Sequence, residues 1–322
     1  MAFPYQPGYP TGVQAPVMSP AVPYTGPITD GISPGKMIFI QGYVHADADR
    51  FHVNLQCGAG GPPRPDIALH FNPRFGANKV VRNTLVNQKW GGEEKGDPGF
   101  FPFGQNQNFE MIILCELDEF KCAVNGHHYI EYKHRIKDLS RINTLAIDGK
   151  CTIYSIRFEG GAAVAHAQAL PMPNFQLGPK INPPVPFECA VEGGMVPGRM
   201  VFVSGFVNND NPDRFHINLQ CGPGENAPRP NVAFHLNPRF GGQKIVRNAL
   251  GNQKWGGEEK ETPHFPFVPG GFFEVIILCQ ADAFRVAVNG VHMIEFKHRQ
   301  PYQNVNTLLI KGAIRLTQVR FQ

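Results

Sequence analysis

The sequence predicts an all-β protein built from two antiparallel β-sandwiches in tandem. Three observations carry this reading. The chain repeats itself once at domain length, and its apolar residues alternate with polar ones over short runs. Glycine and proline are abundant, 35 and 30 of 322 residues, and they punctuate those runs. Many short alternating strands joined by tight turns build sandwiches or barrels, and aromatic-rich alternation favours two packed sheets. No segment keeps a helical period over three turns.

The repeat is read directly. RFHVNLQCG (50–58) recurs as RFHINLQCG (214–222), and HFNPRFG (70–76) as HLNPRFG (235–241). NQKWGGEEK (87–95) returns unchanged at 252–260, FEMIILC (109–115) returns as FEVIILC (273–279), and AVNG with its downstream KHR (123–135) returns at 287–299. The offset stays between 163 and 165 positions, so single-residue loop changes separate two modules of about 135 residues. Solenoid repeats are far shorter. The expected boundaries are 22–159 and 185–322. Residues 1–21, rich in Pro, Tyr, Gly and Gln, are expected to be a disordered tail. Residues 160–184 are expected to be a semi-extended Pro-containing linker holding the modules apart with some mobility.

In order along the first module, the expected strands are MIFIQGYV, RFHVNLQ, DIALHFNPRF, KVVRNTL, FEMIILCE, EFKCAVNG, HYIEYKH, INTLAID and TIYSIRF. Each alternates apolar with polar residues between turn formers. Val-Asn-Gly at 124–126 and at 288–290 reads as a hairpin turn.

Charge is nearly balanced, 30 Lys+Arg against 26 Asp+Glu, with no basic block to track a nucleic acid. No stretch approaches the ~18 consecutive apolar residues of a membrane span. The start, MAFPYQPGYP, does not read as a secretory signal. The seven cysteines include no C-x-x-C pair, and no Asn-x-Ser/Thr acceptor occurs. Unpaired, mostly buried thiols and a reducing cytosol are the expectation, with later export by a route that needs no signal peptide left open. No metal or cofactor is implied.

The chemistry concentrates on one strand and the segment just after it. In Asp66–Phe75 a period of two sets Ile67, Leu69 and Phe71 against Ala68, His70, Asn72 and Arg74. His70, Asn72 and Arg74 become a polar row on a sheet surface, about 7 Å apart. Pro73, which has no N–H to donate, suggests an edge or a bulge there. Val81 and Asn83 share a face of the next strand, and Trp90 and Glu93 come after a short turn. The chain has two tryptophans, and both stand in the same Gly-flanked, charge-rich segment. A pyranose needs this combination: a flat aromatic for its C–H face, and fixed donors and acceptors for its hydroxyl rim. An Arg beside a Glu would hold the orientation of both.

These residues resemble the galectin family, in particular its tandem-repeat members. The family signature is His-x-Asn-x-Arg, then Val-x-Asn, then Trp-Gly-x-Glu-x-Arg. It is met by His70, Asn72, Arg74, Val81, Asn83, Trp90, Glu93 and Lys95, and again by His235, Asn237, Arg239, Val246, Asn248, Trp255, Glu258 and Lys260. The resemblance implies a jelly-roll-like sandwich and metal-independent binding of β-galactosides such as lactose, N-acetyllactosamine and the glycoproteins or glycolipids that carry them. It implies that His, the first Asn and Arg meet the galactose 4-OH, and that the second Asn and Glu meet its 6-OH. The Trp would stack on the sugar, and Arg, Glu and the final basic residue would reach the second ring. Both copies depart at that last position, where Lys95 and Lys260 replace Arg. Lysine lacks the planar fork, so a bidentate contact to the second sugar or to Glu93 is expected to be lost.

Longer contacts are expected from Arg64 and Arg229 in the loops before the signature strand, and from Arg50, His52, Arg214 and His216. The function expected is a bivalent lectin that cross-links galactose-bearing glycans, with self-association a further route to valency. A glycoside hydrolase needs two carboxylates across the scissile bond, whereas Glu94 beside Glu93 points the other way if extended. An intracellular protein-interaction module with an incidental sugar pocket is the other alternative.

Overall fold

The computed structural model describes residues 14–96, 99–161 and 179–322. The chain divides into two compact units between Gly178 and Pro179. The first contains β1 (Val17–Met18), β2 (Tyr24–Pro27), β3 (Met37–Val44), β4 (Phe51–Gln56), β5 (Ile67–Arg74) and β6 (Lys79–Val86). It continues through β7 (Lys89–Trp90), β8 (Gln107–Cys115), β9 (Glu119–Val124), β10 (His127–Lys133), β11 (Thr144–Gly149) and β12 (Cys151–Glu159). The second repeats this order with β13 (Lys180–Ile181), β14 (Phe187–Ala190), β15 (Met200–Val207), β16 (Phe215–Gln220), β17 (Val232–Arg239) and β18 (Lys244–Gly251). It ends with β19 (Lys254–Trp255), β20 (Phe272–Cys279), β21 (Ala283–Val288), β22 (Val291–Lys297), β23 (Thr307–Gly312) and β24 (Ile314–Phe321).

Each unit is a sandwich of two six-stranded antiparallel sheets, as the alternation predicts. In the first the orders are β1-β12-β3-β8-β9-β10 and β2-β11-β4-β5-β6-β7, and the second unit has the equivalent pair. The alternating apolar residues of both sheets meet between them. Phe51 on β4 stacks on Phe109 of the facing sheet at 5.4 Å, and Phe215 on Phe273 at 5.3 Å. The outer face of the β3 sheet also buries a small cluster, Met37, Phe39, Ile112 and Leu114, with the Arg157 guanidinium 4.6 Å above the Phe39 ring.

Two expectations about the segments outside the modules need correction. Part of the supposed tail belongs to the first sandwich: Val17 and Met18 pair with Ile156 and Ser155, and the Gln14 side chain bonds both Pro27 O and Thr29 N at 2.8 Å. The end of the supposed linker does the same in the second, where Lys180 and Ile181 pair with Val319 and Gln318. Residues 1–13 and 162–178, the rest of those expectations, lie outside the described residues. The seven thiols are unpaired, and Cys115, Cys122, Cys151 and Cys279 are buried. Burial pushes Cys115, Cys122 and Cys151 up to about 12, which leaves them unreactive.

The Val-Asn-Gly turn joins β9 to β10 with Asn125 at φ 51° and Gly126 at φ 80°. Both central residues are left-handed, as a two-residue hairpin of this twist requires. Asn125 Oδ1 also accepts from Glu110 N at 3.0 Å, which ties the turn to β8. Gly126→Ala is expected to lower stability by about 1–2 kcal/mol, read from the midpoint of chemical unfolding.

Candidate functional site

The site begins with a fault in β5. The pairing with β4 and β6 slips around Ala68, so Ala68 turns into the core with Leu69 and Phe71. The sequence pattern puts Ala68 on the polar face; the bulge overrules it, because one extra residue reverses a period-two pattern. After the bulge the alternation holds, and His70, Asn72 and Arg74 stand away from the core.

Pro73 is neither at an edge nor at the bulge. It lies in an interior strand, paired with Val80, where the β4–β5 ladder is interrupted. Its missing N–H is replaced by the neighbouring side chain: Asn72 Nδ2 donates to Phe51 O at 2.6 Å. That bond fixes the carboxamide and turns Oδ1 toward Arg74, whose Nε donates to it at 2.8 Å. Arg74 Nη2 then donates to Glu93 Oε1 at 3.0 Å, and Lys95 Nζ lies 2.7 Å from Glu93 Oε2. Lysine at this position therefore keeps its pairing with Glu93 through one bond, although the fork is gone.

His70 is positioned from the other side. Its Nδ1 is 2.7 Å from Asn54 Oδ1. A carboxamide oxygen can only accept, so Nδ1 carries the proton and Nε2 is left as an acceptor. Burial, with lesser contributions from His52 and Arg74, lowers the His70 pKa to about 4. Opposite His70 in register, Asn83 donates from Nδ2 to Gly91 O at 2.9 Å and accepts at Oδ1 from Thr84 N at 2.8 Å.

Trp90 sits on the two-residue edge strand β7 and is 45% exposed, its ring centroid 5.0 Å from that of His70. The Gly-Gly turn after it is strapped down by Arg135. Arg135 donates to Asn83 Oδ1 (3.2 Å), Gly92 O (3.0 Å) and Glu94 Oε1 (2.7 Å). A Cβ on Gly91 would meet Arg135 Nη1 at 2.7 Å, so the strap requires glycine there. The result is an open cleft of about 400 Å³ lined by Arg50, His52, His70, Asn72, Arg74, Asn83, Trp90, Gly91 and Glu93.

The second module reproduces these bonds. Asn237 Nδ2 donates to Phe215 O (2.6 Å), Arg239 Nε to Asn237 Oδ1 (2.8 Å) and Arg239 Nη2 to Glu258 Oε1 (2.8 Å). Lys260 pairs with Glu258 at 2.7 Å. His235 is held by Asn218 at 2.6 Å, with its ring 4.9 Å from Trp255, itself 43% exposed. Asn248 donates to Gly256 O at 2.9 Å, and Arg299 bonds Asn248, Gly257 O and Glu259.

The sequence pattern of the galactoside-binding lectin family matches residues 23–158 and again residues 186–321. The chain belongs to that family: it is a tandem-repeat galectin. It is 40% identical to galectin-8 of Rattus norvegicus over 313 residues, covering 94% of this chain and 96% of the relative. It is 36% identical to galectin-4 of Homo sapiens over 338 residues, covering 99% and 100%. Galectin-6 of Mus musculus is 36% identical over 321 residues, with 99% of each chain covered. This galectin is accordingly a bivalent β-galactoside-binding lectin.

Within the galectin sites, the expected residues separate by position. His70, Asn72, Arg74, Asn83, Trp90 and Glu93 line the first cleft with Arg50 and His52. Val81 does not line it; it is buried in register with Asn72, as Val246 is with Asn237. Lys95 is not among the lining residues and stands behind them, in contact with Glu93. Arg64 also stands apart from the lining of the first cleft, and both Arg64 and Arg229 are exposed on loops whose backbone is clamped by Gln88 and Gln253. Arg229 is near enough to Glu225 to help hold its carboxyl below the usual range. Arg50 and Arg214 are each paired with the preceding aspartate.

Sequence reasoning missed the supports: Asn54 and Asn218, which set the histidine tautomer, and Arg135 and Arg299, which hold the Trp turn. The repeated FHVNLQ/FHINLQ and KHR segments carried both signals. Glu94 points away from the cleft, as alternation implies, toward Arg135 and Arg82. Lys95 and Arg74 hold the Glu93 carboxyl below the usual range.

Proposed function

We propose that this galectin is a non-catalytic cross-linker of galactose-bearing glycans, each module contributing one site. The observation that carries the reading is the same hydrogen-bonded lattice, capped by a half-exposed tryptophan, on two separately cored sandwiches. Trp90 offers its face to the C–H side of a galactose. His70 Nε2, Asn72 and Arg74 converge on the axial 4-OH. Asn83 and Glu93 serve the 6-OH, and Arg74, Glu93 and Lys95 serve the second ring. Glu93 is the only carboxylate among the described lining residues, and its cationic neighbours keep it ionised. That supports binding over hydrolysis, which would need a protonated acid opposite a second carboxylate. Folding in a reducing cytosol is proposed too, supported by the seven unpaired thiols.

The test is precipitation of a multivalent galactose-terminated glycoprotein. The intact chain should precipitate it and lactose should reverse this. Retention without precipitation would remove the cross-linking claim, and release of galactose from lactose would remove the non-catalytic one.

The pH response has a defined sign. Burial lowers His70 to about 4 and His235 to about 3, against about 6.5 for an unfolded histidine. The unfolded chain therefore binds more protons between these values. The stability these residues contribute is complete above about pH 7 and is lost as pH falls from 6.5 toward 4 and 3. Lactose affinity, by contrast, should stay level from pH 8 to about 5, because the acceptor nitrogen stays unprotonated. Calorimetric titration across that range checks it; an affinity midpoint near 6.5 would contradict the neutral-histidine site.

A further inference from the structure

The two clefts share their galactose lattice but differ at the end remote from the tryptophan. In both, the row of rings continues from the signature histidine to a second one: His70 to His52 at 5.2 Å, and His235 to His216 at 5.4 Å. Beyond that the modules diverge. On the neighbouring strand His52 pairs with Asp148, whereas His216 pairs with Lys311. The loop between Cys221 and Asn231 is one residue longer than its counterpart, and it places Glu225 where the first loop has Gly60 and Gly61.

Glu225 Oε1 lies 3.4 Å from His216 Nε2, and Lys311 Nζ lies 2.9 Å from Glu225 Oε2. The loop is held in this position, since Gly224 N donates to Glu188 Oε2 at 2.7 Å and Gln220 Nε2 donates to Gly224 O at 3.0 Å. His216 Nε2 is shut off from solvent without a well-aligned hydrogen bond. Its counterpart His52 lines an open cleft, with the exposed Asp148 carboxylate beside it. The Arg–Asp pairs at 49–50 and 213–214 are the same in both, so they do not distinguish the two ends.

We propose that the two sites sort galactosides by what the galactose itself carries. The first accepts a galactose bearing a further neutral sugar on the side facing His52 and Asp148; the second, closed by the Glu225–Lys311 pair over His216, takes galactose unsubstituted there. This rests on the galactoside reading above. In that reading the second ring leaves C1 over Arg74, Glu93 and Lys95, and the 4-OH and 6-OH are engaged. Of the two hydroxyls left, the 2-OH stands beside C1 and the second ring, while the 3-OH neighbours the 4-OH held by His70 and so looks toward β4 and β11. Asp148 accepts hydroxyl hydrogens and repels anions, so the first site selects neutral substituents over sulfated ones. In the second, Glu225 both fills the space and neutralises Lys311.

The experiment uses the full chain with one site silenced, Arg239→Ala to read the first and Arg74→Ala to read the second. Each is titrated calorimetrically with lactose, α-galactosyl-(1→3)-lactose and 3′-sulfated lactose. The first site should bind the trisaccharide at least as tightly as lactose and the sulfated sugar about tenfold more weakly. The second should bind the trisaccharide about tenfold more weakly than lactose. Adding Glu225→Ala, or the size-preserving Glu225→Gln as a control for folding, to the second-site reader separates space from charge. Glu225→Ala should bring the trisaccharide level with lactose, and both variants should improve binding of the sulfated sugar as Lys311 is released. Equal trisaccharide-to-lactose ratios at the two sites, or a second-site ratio unmoved by Glu225→Ala, would overturn the proposal while leaving the lectin reading intact. Failure of either reader to bind lactose strikes that reading, and the proposal with it.

Discussion

Trp90→Ala is expected to silence the first site and leave the second at full strength, and the converse holds for Trp255→Ala. A site that binds lactose with a Kd of about 1 mM holds about 4 kcal/mol of binding free energy. Removing an aromatic platform that covers one face of the ring costs about 2 kcal/mol or more, roughly a thirtyfold loss. Such a loss is not survivable at that starting affinity. Lactose stoichiometry should fall from two per chain to one, and the remaining tryptophan should still report lactose in its fluorescence. The effect on cross-linking should be larger than the effect on binding. Tethered sites gain effective concentration only while both can engage, so losing one removes the avidity entirely. The structural cost is small because Trp90 is half exposed on a two-residue edge strand. Agglutination that survives Trp90→Ala at undiminished strength would assign the valency to self-association instead of to the duplicated site.

Most of the fold was legible because it is written in local periodicity. The nine strands of the first module that alternate over several residues were all readable, from β3 through β12. The three that were not, β1, β2 and β7, are two to four residues long. Such strands owe their existence to the edge they pair with, and that edge is remote in sequence. This is also why the expected tail ran too far: nothing in PVMS announces that Val17 and Met18 will find Ile156 and Ser155. Periodicity failed at Ala68 for a different reason. A bulge leaves no compositional mark when the extra residue is small and apolar enough to sit on either face.

The candidate site was legible where one strand or one loop supplies the group. His70, Asn72, Arg74, Trp90 and Glu93 fall into this class, and duplication made them readable together. The supports were not legible, since Asn54 reaches His70 from a neighbouring strand and Arg135 reaches the Trp turn from just past the last strand of the facing sheet. Pro73 shows the same limit. Its missing donor is real, but the answer is a side-chain bond from Asn72 to Phe51 O, across the sheet.

Arg135 therefore provides the sharper test of how the site is built. It touches no proposed ligand position directly, yet three of its bonds converge on the turn that carries Trp90: to Asn83, Gly92 O and Glu94. Its planar guanidinium also lies over the Tyr132 ring, 5.0 Å from the ring centre, a further contact that orients the fork. Arg135→Ala is expected to lower lactose affinity at the first site about tenfold. It should also reduce stability by about 1.5–3 kcal/mol, the range for charged hydrogen bonds that leave an acceptor unmet. Arg135→Lys should recover little, because an ammonium cannot bond three divergent acceptors at once. A purely structural role would move the unfolding midpoint alone. The strap predicts that Trp90 quenching by a neutral solute also rises, with Trp255→Phe in the background so that one indole is read. Asn83 makes the two effects inseparable in the wild-type protein: its Oδ1 accepts from Arg135 while its Nδ2 holds Gly91 O. Loosening the arginine frees the asparagine and the tryptophan together. If Arg135→Ala binds lactose as tightly as the parent while its stability falls, the turn is held by Asn83 alone and the strap has no part in recognition.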